Sequence, residues 1–453
     1  MTEIKLDFAT ELDLDKRFGW FSKFNNVVVA VSGGSDSLAL LHLVCRWQRT
    51  SSSARSVRLP RIIAVTVDHG LRPEAADEAR QVATWSCELG VEHRKLIWHG
   101  EKPPSAIQDI ARRARYRLIG TLIKDLPGRS LVLTGHTRDD QAETVLMRLA
   151  RGSGPEGLAG IAARTEVYGY DLHRPLLDLT REDLRAFLRY TNVNWLDDPS
   201  NESAAFERIR LRKNSQARLA LGLNNAALAR TAWRMARAHS ALDDAANRFV
   251  WQMVQYDDIF RRYGVVTWDG KCWELSDEIA IRVLRRIIFC TGGQTNFPGL
   301  GQTENFFQKI SGEDFTGTTL AGCRSMAMRK GDDEGTVLLF FREYGRFALP
   351  RVILSSPGEI VWDHRFRIRL AEVAGAEMEI APLGQNISAL RKMDVSVSSI
   401  PTGIPVAALE TLPSLHANGR LVAVPSLGLH QAGYNVSAEF MVQRLLHNDQ
   451  TKP

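Results

Sequence analysis

Val27-Val28-Val29-Ala30-Val31-Ser32-Gly33-Gly34-Ser35-Asp36-Ser37, running straight into Leu38-Ala39-Leu40-Leu41-His42-Leu43-Val44, is the stretch on which the fold turns. The apolar residues Val27 to Val31 read as a buried strand, the two glycines as a tight bend, and the leucine-rich run as the start of a helix. A strand that feeds a helix through so short a bend opens a βαβ crossover, and a crossover needs parallel partner strands. Three further runs supply them: Arg61-Ile62-Ile63-Ala64-Val65-Thr66-Val67, Glu92-His93-Arg94-Lys95-Leu96-Ile97 and Ser130-Leu131-Val132-Leu133-Thr134. Stretches with helical spacing separate them. The expected fold class is α/β, a parallel sheet with helices on both faces and its ligand site in the loops that follow the strands.

Beyond this region the texture changes twice. From about Glu182 to Phe289 it is helical, best in Glu182 to Tyr190, Asn225 to Val254 and Glu278 to Phe289; after about Phe340 short β-prone runs alternate with Gly and Pro. A chain of 453 residues is too long for one ordinary core, and we expect domains at 1–215, 216–340 and 341–453, the second helical and basic, the third a small α+β or β-rich module.

Hydrophobic content of 44% with 24% charged residues excludes a disordered or fibrous chain. No apolar run approaches the roughly 18 residues that span a bilayer, and Met1-Thr2-Glu3-Ile4-Lys5-Leu6-Asp7 lacks the pattern of a secretory leader, so the expectation is a cytoplasmic protein with no membrane partner. Cys45, Cys87, Cys272, Cys290 and Cys323 include no pair at the two-residue gap of metal and redox sites, and read as reduced. The net charge of +6 and pI near 9.1 suit a polyanionic partner without requiring one.

The bend carries chemistry. Gly33 and Gly34 let the backbone approach an anion, and Ser32, Ser35 and Ser37 with the first N–H groups of the helix can donate to phosphate oxygens. Asp36 is out of keeping with an anion site unless it holds Mg²⁺, which neutralises both. The plainer alternative is a capped strand-to-helix turn. No Gly-Lys-Ser/Thr follows, so this is not a Walker A loop. The hexapeptide resembles the PP-loop of the ATP pyrophosphatases, adenylating enzymes that split ATP between the α- and β-phosphates. The resemblance implies that Ser32, Gly33, Gly34, Ser35, Asp36 and Ser37 bind ATP, with Asp36 as the Mg²⁺ ligand.

Three more segments are similar to one branch of that superfamily, the tRNA(Ile)-lysidine synthetases: Val67-Asp68-His69-Gly70-Leu71-Arg72, Ala111-Arg112-Arg113-Ala114-Arg115-Tyr116-Arg117, and Gly135-His136-Thr137-Arg138-Asp139-Asp140-Gln141-Ala142-Glu143-Thr144, which continues to Leu149-Ala150-Arg151-Gly152-Ser153-Gly154. The resemblance implies that ATP adenylates the position-2 carbonyl of the wobble cytidine in an isoleucine tRNA with a CAU anticodon. The ε-amine of free L-lysine then displaces AMP. Carboxylates must seat that amine, and Asp140 and Glu143, three apart at a helix start, are the candidates. Asp139 serves either Mg²⁺ or the ammonium; the alternative for all three is an acidic helix N-terminus favoured by its dipole. His69 and His136 follow strand ends, as site liners or as structural groups. Arg112, Arg113, Arg115 and Arg117 read as phosphate neutralisers or as a solvated face.

The family's Asp-x-Ser-Asn segment and following Arg-Asn-x-x-Arg run are answered by Asp198-Pro199-Ser200-Asn201 and Phe206-Glu207-Arg208-Ile209-Arg210, where Phe206-Glu207 replaces Arg-Asn. Arg208 is the candidate catalytic arginine, with Arg210 the alternative. Between Phe206 and Ser240, Arg208, Arg210, Arg212, Lys213, Arg218, Arg230, Arg234 and Arg237 face one acidic residue, Glu207. Arg230, Arg234 and Arg237 share a helical face, as do Arg282, Arg285 and Arg286, and both faces are expected to meet RNA phosphates. Thr411 to Leu415 and Gly419 to Pro425 are similar to the terminal domain of the longer synthetases, implicated in holding the tRNA acceptor end. A homodimer is plausible for the family.

Rival readings have discriminating features. A tRNA thiolation enzyme shares the PP-loop but commonly needs paired cysteines. GMP and asparagine synthetases carry or recruit a glutaminase, and no such nucleophile signature is present. A non-catalytic RNA-binding descendant would not retain Ser32 to Ser37 together with Asp140 and Glu143.

Overall fold

A computed structural model describes residues 12–54, 59–70, 74–100, 102, 107–197, 207–256, 258–329, 336–345, 348–371, 378–384, 390, 403–431 and 433–441. Two units divide the chain, the first running to His239 and the second beginning at Ser240.

The first unit is built on six strands: β1 (Asn26–Ala30), β2 (Arg61–Asp68), β3 (Glu92–Ile97), β4 (Ser130–Leu133), β5 (Arg164–Val167) and β6 (Tyr170–His173). Their order is β3-β2-β1-β4-β6-β5, parallel except for β5, which folds back on β6. Strands β1 to β4 fall within a residue of the stretches that the sequence marks. The β5–β6 hairpin was not legible, because its turn uses Tyr168 and Gly169 at φ +47° and +80° instead of an Asn-Gly or Asp-Gly signal.

Seven helices of this unit matter for the site: α1 (Ser35–Ala54), α2 (Ala75–Glu88), α3 (Ile107–Lys124), α4 (Arg138–Leu149), α5 (Arg181–Tyr190), α6 (Glu207–Lys213) and α7 (Asn225–Tyr256), the last continuing past the boundary. The pleat of β1 explains why both faces are covered. Val27 and Val29 pack with Leu38, Leu41 and Trp47 on one side, whereas Val28 packs with Ile63, Tyr116, Ile119 and Val132 on the other. Each such burial is worth roughly 1.5–3 kcal/mol, so the run Val27 to Val29 anchors two cores at once. The chain moves from β1 outward to β3 and then returns to the other side at β4. Loops after β1 and β4 therefore diverge at the carboxyl ends, and a crevice opens between them.

The second unit is largely antiparallel. One sheet sets Thr336–Arg342 between Val266–Trp268 and Cys323–Arg329, with Gly317–Leu320 outside; a second has five strands from Val352–Leu354 to Leu429–His430; a third sets Phe366–Leu370 between Gly358–Trp362 and Val436–Phe440. The first of these strands begins at Val266, inside the stretch whose texture suggests helices. Helices Asp277–Thr291 and Leu300–Ile310 belong to the same unit. Among the described residues no helix is long and apolar enough to cross a membrane.

Candidate active site

Gly33 takes φ +88°, and a Cβ there would lie 2.7 Å from Leu196 Cδ1, so only glycine fits the bend. The loop is braced from within. The Ser32 N–H donates to Ser37 Oγ at 3.1 Å, and Ser37 Oγ donates to the Gly34 carbonyl at 3.0 Å. Helix α1 begins at Ser35, which leaves its first N–H groups free to face the crevice. A second glycine lets the other loop close in: a Cβ on Gly135 would stand 2.7 Å from the Asp36 carbonyl oxygen. The loop after β4 thus lies backbone to backbone against the first turn of α1, at the floor of the crevice.

Between them lies a cleft of about 700 Å³, lined by Ser32, Gly34, Ser35, Asp36, Ser37, Arg115, His136, Asp140, Arg181, Arg185 and Arg212 among others. Helix α4 starts at its edge. Thr137 caps it in a reciprocal box, with Asp140 Oδ2 accepting from the Thr137 N–H at 2.8 Å and from its hydroxyl at 2.9 Å. This turns Asp140 toward the cleft, and Glu143 follows one turn later on the same face.

Helix α5 meets them with Arg181 at its first position. The guanidinium donates through Nε to Asp36 Oδ2 at 3.2 Å, through Nη1 to Glu143 Oε1 at 3.0 Å, and through Nη2 to Asp140 Oδ1. Its backbone N–H donates to Asp139 Oδ2 at 2.9 Å. One turn on, Arg185 Nε reaches Ser35 Oγ at 3.5 Å. Arg212 of α6 grips Glu143 from the other side, Nε to Oε1 at 2.6 Å and Nη2 to Oε2 at 3.2 Å. Asn225, the first residue of α7, donates to Asp139 Oδ1 at 2.7 Å.

Charge follows from this packing. Burial raises the Asp36 pKa above the ordinary carboxylate value against the pull of Arg181. Burial works the same way on Asp140, but Arg181, His136 and the Thr137 donors outweigh it and hold that pKa below the ordinary value. Burial likewise keeps His69 neutral, its pKa lowered to about 4 with the Arg115 charge adding to the effect. Burial pushes the thiols of Cys45 up to about 11 and of Cys272 and Cys323 up to about 12, which leaves them protonated at neutral pH and poor as sulfur nucleophiles.

Asp36, Asp140 and Glu143 are thus brought together, with Asp139 joined to them through the Arg181 backbone. Of the four arginines on α3, Arg115 lines the cleft while Arg112 stacks on Tyr116. Asp198, Asn201 and Phe206 lie outside the described residues, as does the Arg208 side chain. Arg212, counted in the sequence only as one of the basic residues between Phe206 and Ser240, enters the site. Arg230, Arg234 and Arg237 are exposed on α7 and keep that face, with Arg237 stacked on the exposed Trp233 at 4.8 Å from its ring centre. A correction concerns Arg282 and Arg286. Both are buried and paired with Asp243, at 2.7 and 3.0 Å, because the helix that carries them sits in a core. Arg181 escaped the sequence reading, although one signal was there: a cation at a helix N-terminus opposes the dipole and calls for a local reason.

Residues 6–219 match the PP-loop domain family. The chain is 45% identical over 270 residues to a protein of Bradyrhizobium diazoefficiens described as tRNA(Ile)-lysidine synthase, covering 59% of this chain and 73% of that one. Proteins with the same description from Ruegeria pomeroyi and Mesorhizobium japonicum are 36% and 35% identical, over 88% and 93% of this chain and 88% of each relative.

Proposed function

The chain belongs to the tRNA(Ile)-lysidine synthase family, and from that premise we propose how its own residues divide the work. It is an ATP-dependent carbon–nitrogen ligase that joins free lysine to position 2 of the wobble cytidine in an isoleucine tRNA with a CAU anticodon. The cytidine O2 attacks the α-phosphorus and pyrophosphate leaves; the lysine ε-nitrogen then attacks C2, the C2–O bond breaks, AMP departs, and the amine gives up its proton.

Ser32 to Ser37 hold the departing pyrophosphate, with the first N–H groups of α1 and Arg185 beside them. Asp36 is the candidate Mg²⁺ ligand. Among the described residues no group of three or more His, Cys, Asp or Glu side chains is gathered for a metal; in this reading the ion takes the Asp36 carboxylate and phosphate oxygens. Mg²⁺ would neutralise charge on the phosphates there. Asp140 and Glu143 seat the lysine ammonium, and Arg212 offsets negative charge between Glu143 and the nucleotide. The exposed stripe of Arg230, Arg234 and Arg237 meets the tRNA backbone.

The observation that carries this reading is the convergence of Asp36, from the phosphate loop, with Asp140 and Glu143 on the Arg181 guanidinium, which lines the cleft together with Asp36 and Asp140. Incubation with α-labelled ATP, lysine and the isoleucine tRNA should release AMP only when lysine is present. A methionine tRNA with the same anticodon should give little. Lysine-independent AMP release, or none, refutes the reading.

A further inference from the structure

Arg181 joins groups that the reading above assigns to different half-reactions. Each of its three guanidinium nitrogens meets a different carboxylate, Asp36 on the phosphate side and Glu143 and Asp140 on the lysine side. The side chain is only 20% exposed, and those of Asp140 and Glu143 are 10% and 5% exposed.

The acceptors on the lysine side are already committed. Asp140 Oδ2 takes two bonds from Thr137 and Oδ1 takes Arg181; Glu143 Oε1 takes Arg181 and Arg212, and Oε2 takes Arg212 again. An incoming ammonium brings three donors and a unit charge that need the same oxygens. Guanidinium and ammonium cannot share the seat, and Arg181 is the one with an anchor elsewhere. That anchor is Asp36. Nucleotide phosphates with Mg²⁺ would compete with Nε for Asp36 and at the same time offer the guanidinium phosphate oxygens, its preferred bidentate partners.

Resting on the lysine-ligating assignment, we propose that Arg181 is a positioning residue that makes the lysine seat conditional on nucleotide. Its guanidinium lies between Asp140 and Glu143, in the seat; nucleotide at the loop would draw it toward the phosphates and open the seat. Lysine then binds second, after the nucleotide that will activate the cytidine.

Calorimetric titration of lysine into the full chain tests this, with and without Mg²⁺ and an ATP analogue that cannot be cleaved between the α- and β-phosphates. The wild-type protein should bind lysine about 10-fold more tightly with the analogue, within the usual range of coupling between sites. Arg181→Gln should bind lysine equally with and without it, and without it more tightly than wild type does. Arg181→Lys, which keeps the charge but loses the three-way fork, should fall between. If Arg181→Gln fails to fold, Asp36→Asn reads the same coupling from the other end: with its outside anchor neutralised, Arg181 is left to Asp140 and Glu143, and lysine binding in the absence of nucleotide should weaken. Wild-type lysine affinity that ignores the analogue, or an Arg181→Gln protein that keeps the wild-type ratio, overturns the proposal while leaving the lysine assignment standing. No lysine binding by the wild-type protein even with analogue and isoleucine tRNA present overturns both.

Discussion

Asn225 donates from Nδ2 to Asp139 Oδ1 at 2.7 Å, so the first residue of the long basic helix α7 is fastened to the second residue of α4. Asp139 takes the Arg181 backbone N–H on its other oxygen. One carboxylate therefore ties together the starts of α4, α5 and α7, and a helix that carries an exposed arginine stripe is indexed to the helix that carries Asp140 and Glu143.

Asn225→Ala should lower stability by about 2 kcal/mol, the scale of a hydrogen bond to a charged group. Asn225→Asp should cost more, since it sets a second carboxylate against Asp139. Urea unfolding followed by circular dichroism checks both, with a shifted midpoint and an unchanged slope as the expected result.

The two halves of the cleft should separate under mutation. Asp36→Ala should abolish adenylation of the tRNA, whereas Glu143→Ala should leave adenylate formation intact and reduce lysine transfer by about 100-fold, the scale of a lost buried charge partner. Single-turnover assays that follow the adenylated tRNA and lysidine separately decide this, and equal loss of both steps counts against the division.

Asp36 and Asp140 should respond to neutralisation in opposite directions. The Asp36 pKa is raised by burial, so its ionised form costs stability at neutral pH, and that cost is relieved as pH falls through the folded-state value. The Asp140 pKa is lowered by Arg181 and its hydrogen bonds despite burial, so its contribution is present above the unfolded-state value and is lost as pH falls through the lower, folded one. At pH 7, Asp36→Asn should melt no lower than wild type although it is inactive, while Asp140→Asn should lose about 1 kcal/mol or more with its cap and charge. Scanning calorimetry at pH 7 measures both.

Basic residues should sort by burial. Replacing Arg230, Arg234 and Arg237 with Ala should flatten the salt dependence of tRNA binding by about 2 in the log–log slope without moving the melting temperature. Trp233→Ala should weaken binding by about 1 kcal/mol if a base stacks on it. Arg286→Ala should instead destabilise the fold by roughly 3 kcal/mol, because it strips a partner from the buried Asp243. Filter binding across a salt series, paired with thermal melts, separates the two groups.

The first unit was legible because its signals are local. Val27 to Val31 fixed a strand, Gly33 and Gly34 fixed a bend, and Asp140 and Glu143 marked the start of a helix, each from residues close together in the chain. What joins them is not local. Arg181 and Arg212 lie 38 and 69 residues beyond Glu143, and nothing in the spacing of basic residues says which will fold back into an acidic cleft. The same limitation misassigned Arg282 and Arg286, whose helical spacing suits a solvent stripe equally well as a core-facing pair satisfied by Asp243. Periodicity tells which residues share a face; it does not tell what that face meets.

The cation at the start of α5 bears on attempts to make this enzyme more heat-resistant. Surface-charge design routinely replaces a basic residue in a first helical turn with Glu or Asp to suit the dipole, and by that rule Arg181 is the obvious residue to change. Arg181→Glu would add another carboxylate to Asp36, Asp139, Asp140 and Glu143. The substitution that looks most helpful for the isolated helix would be among the most damaging for the enzyme.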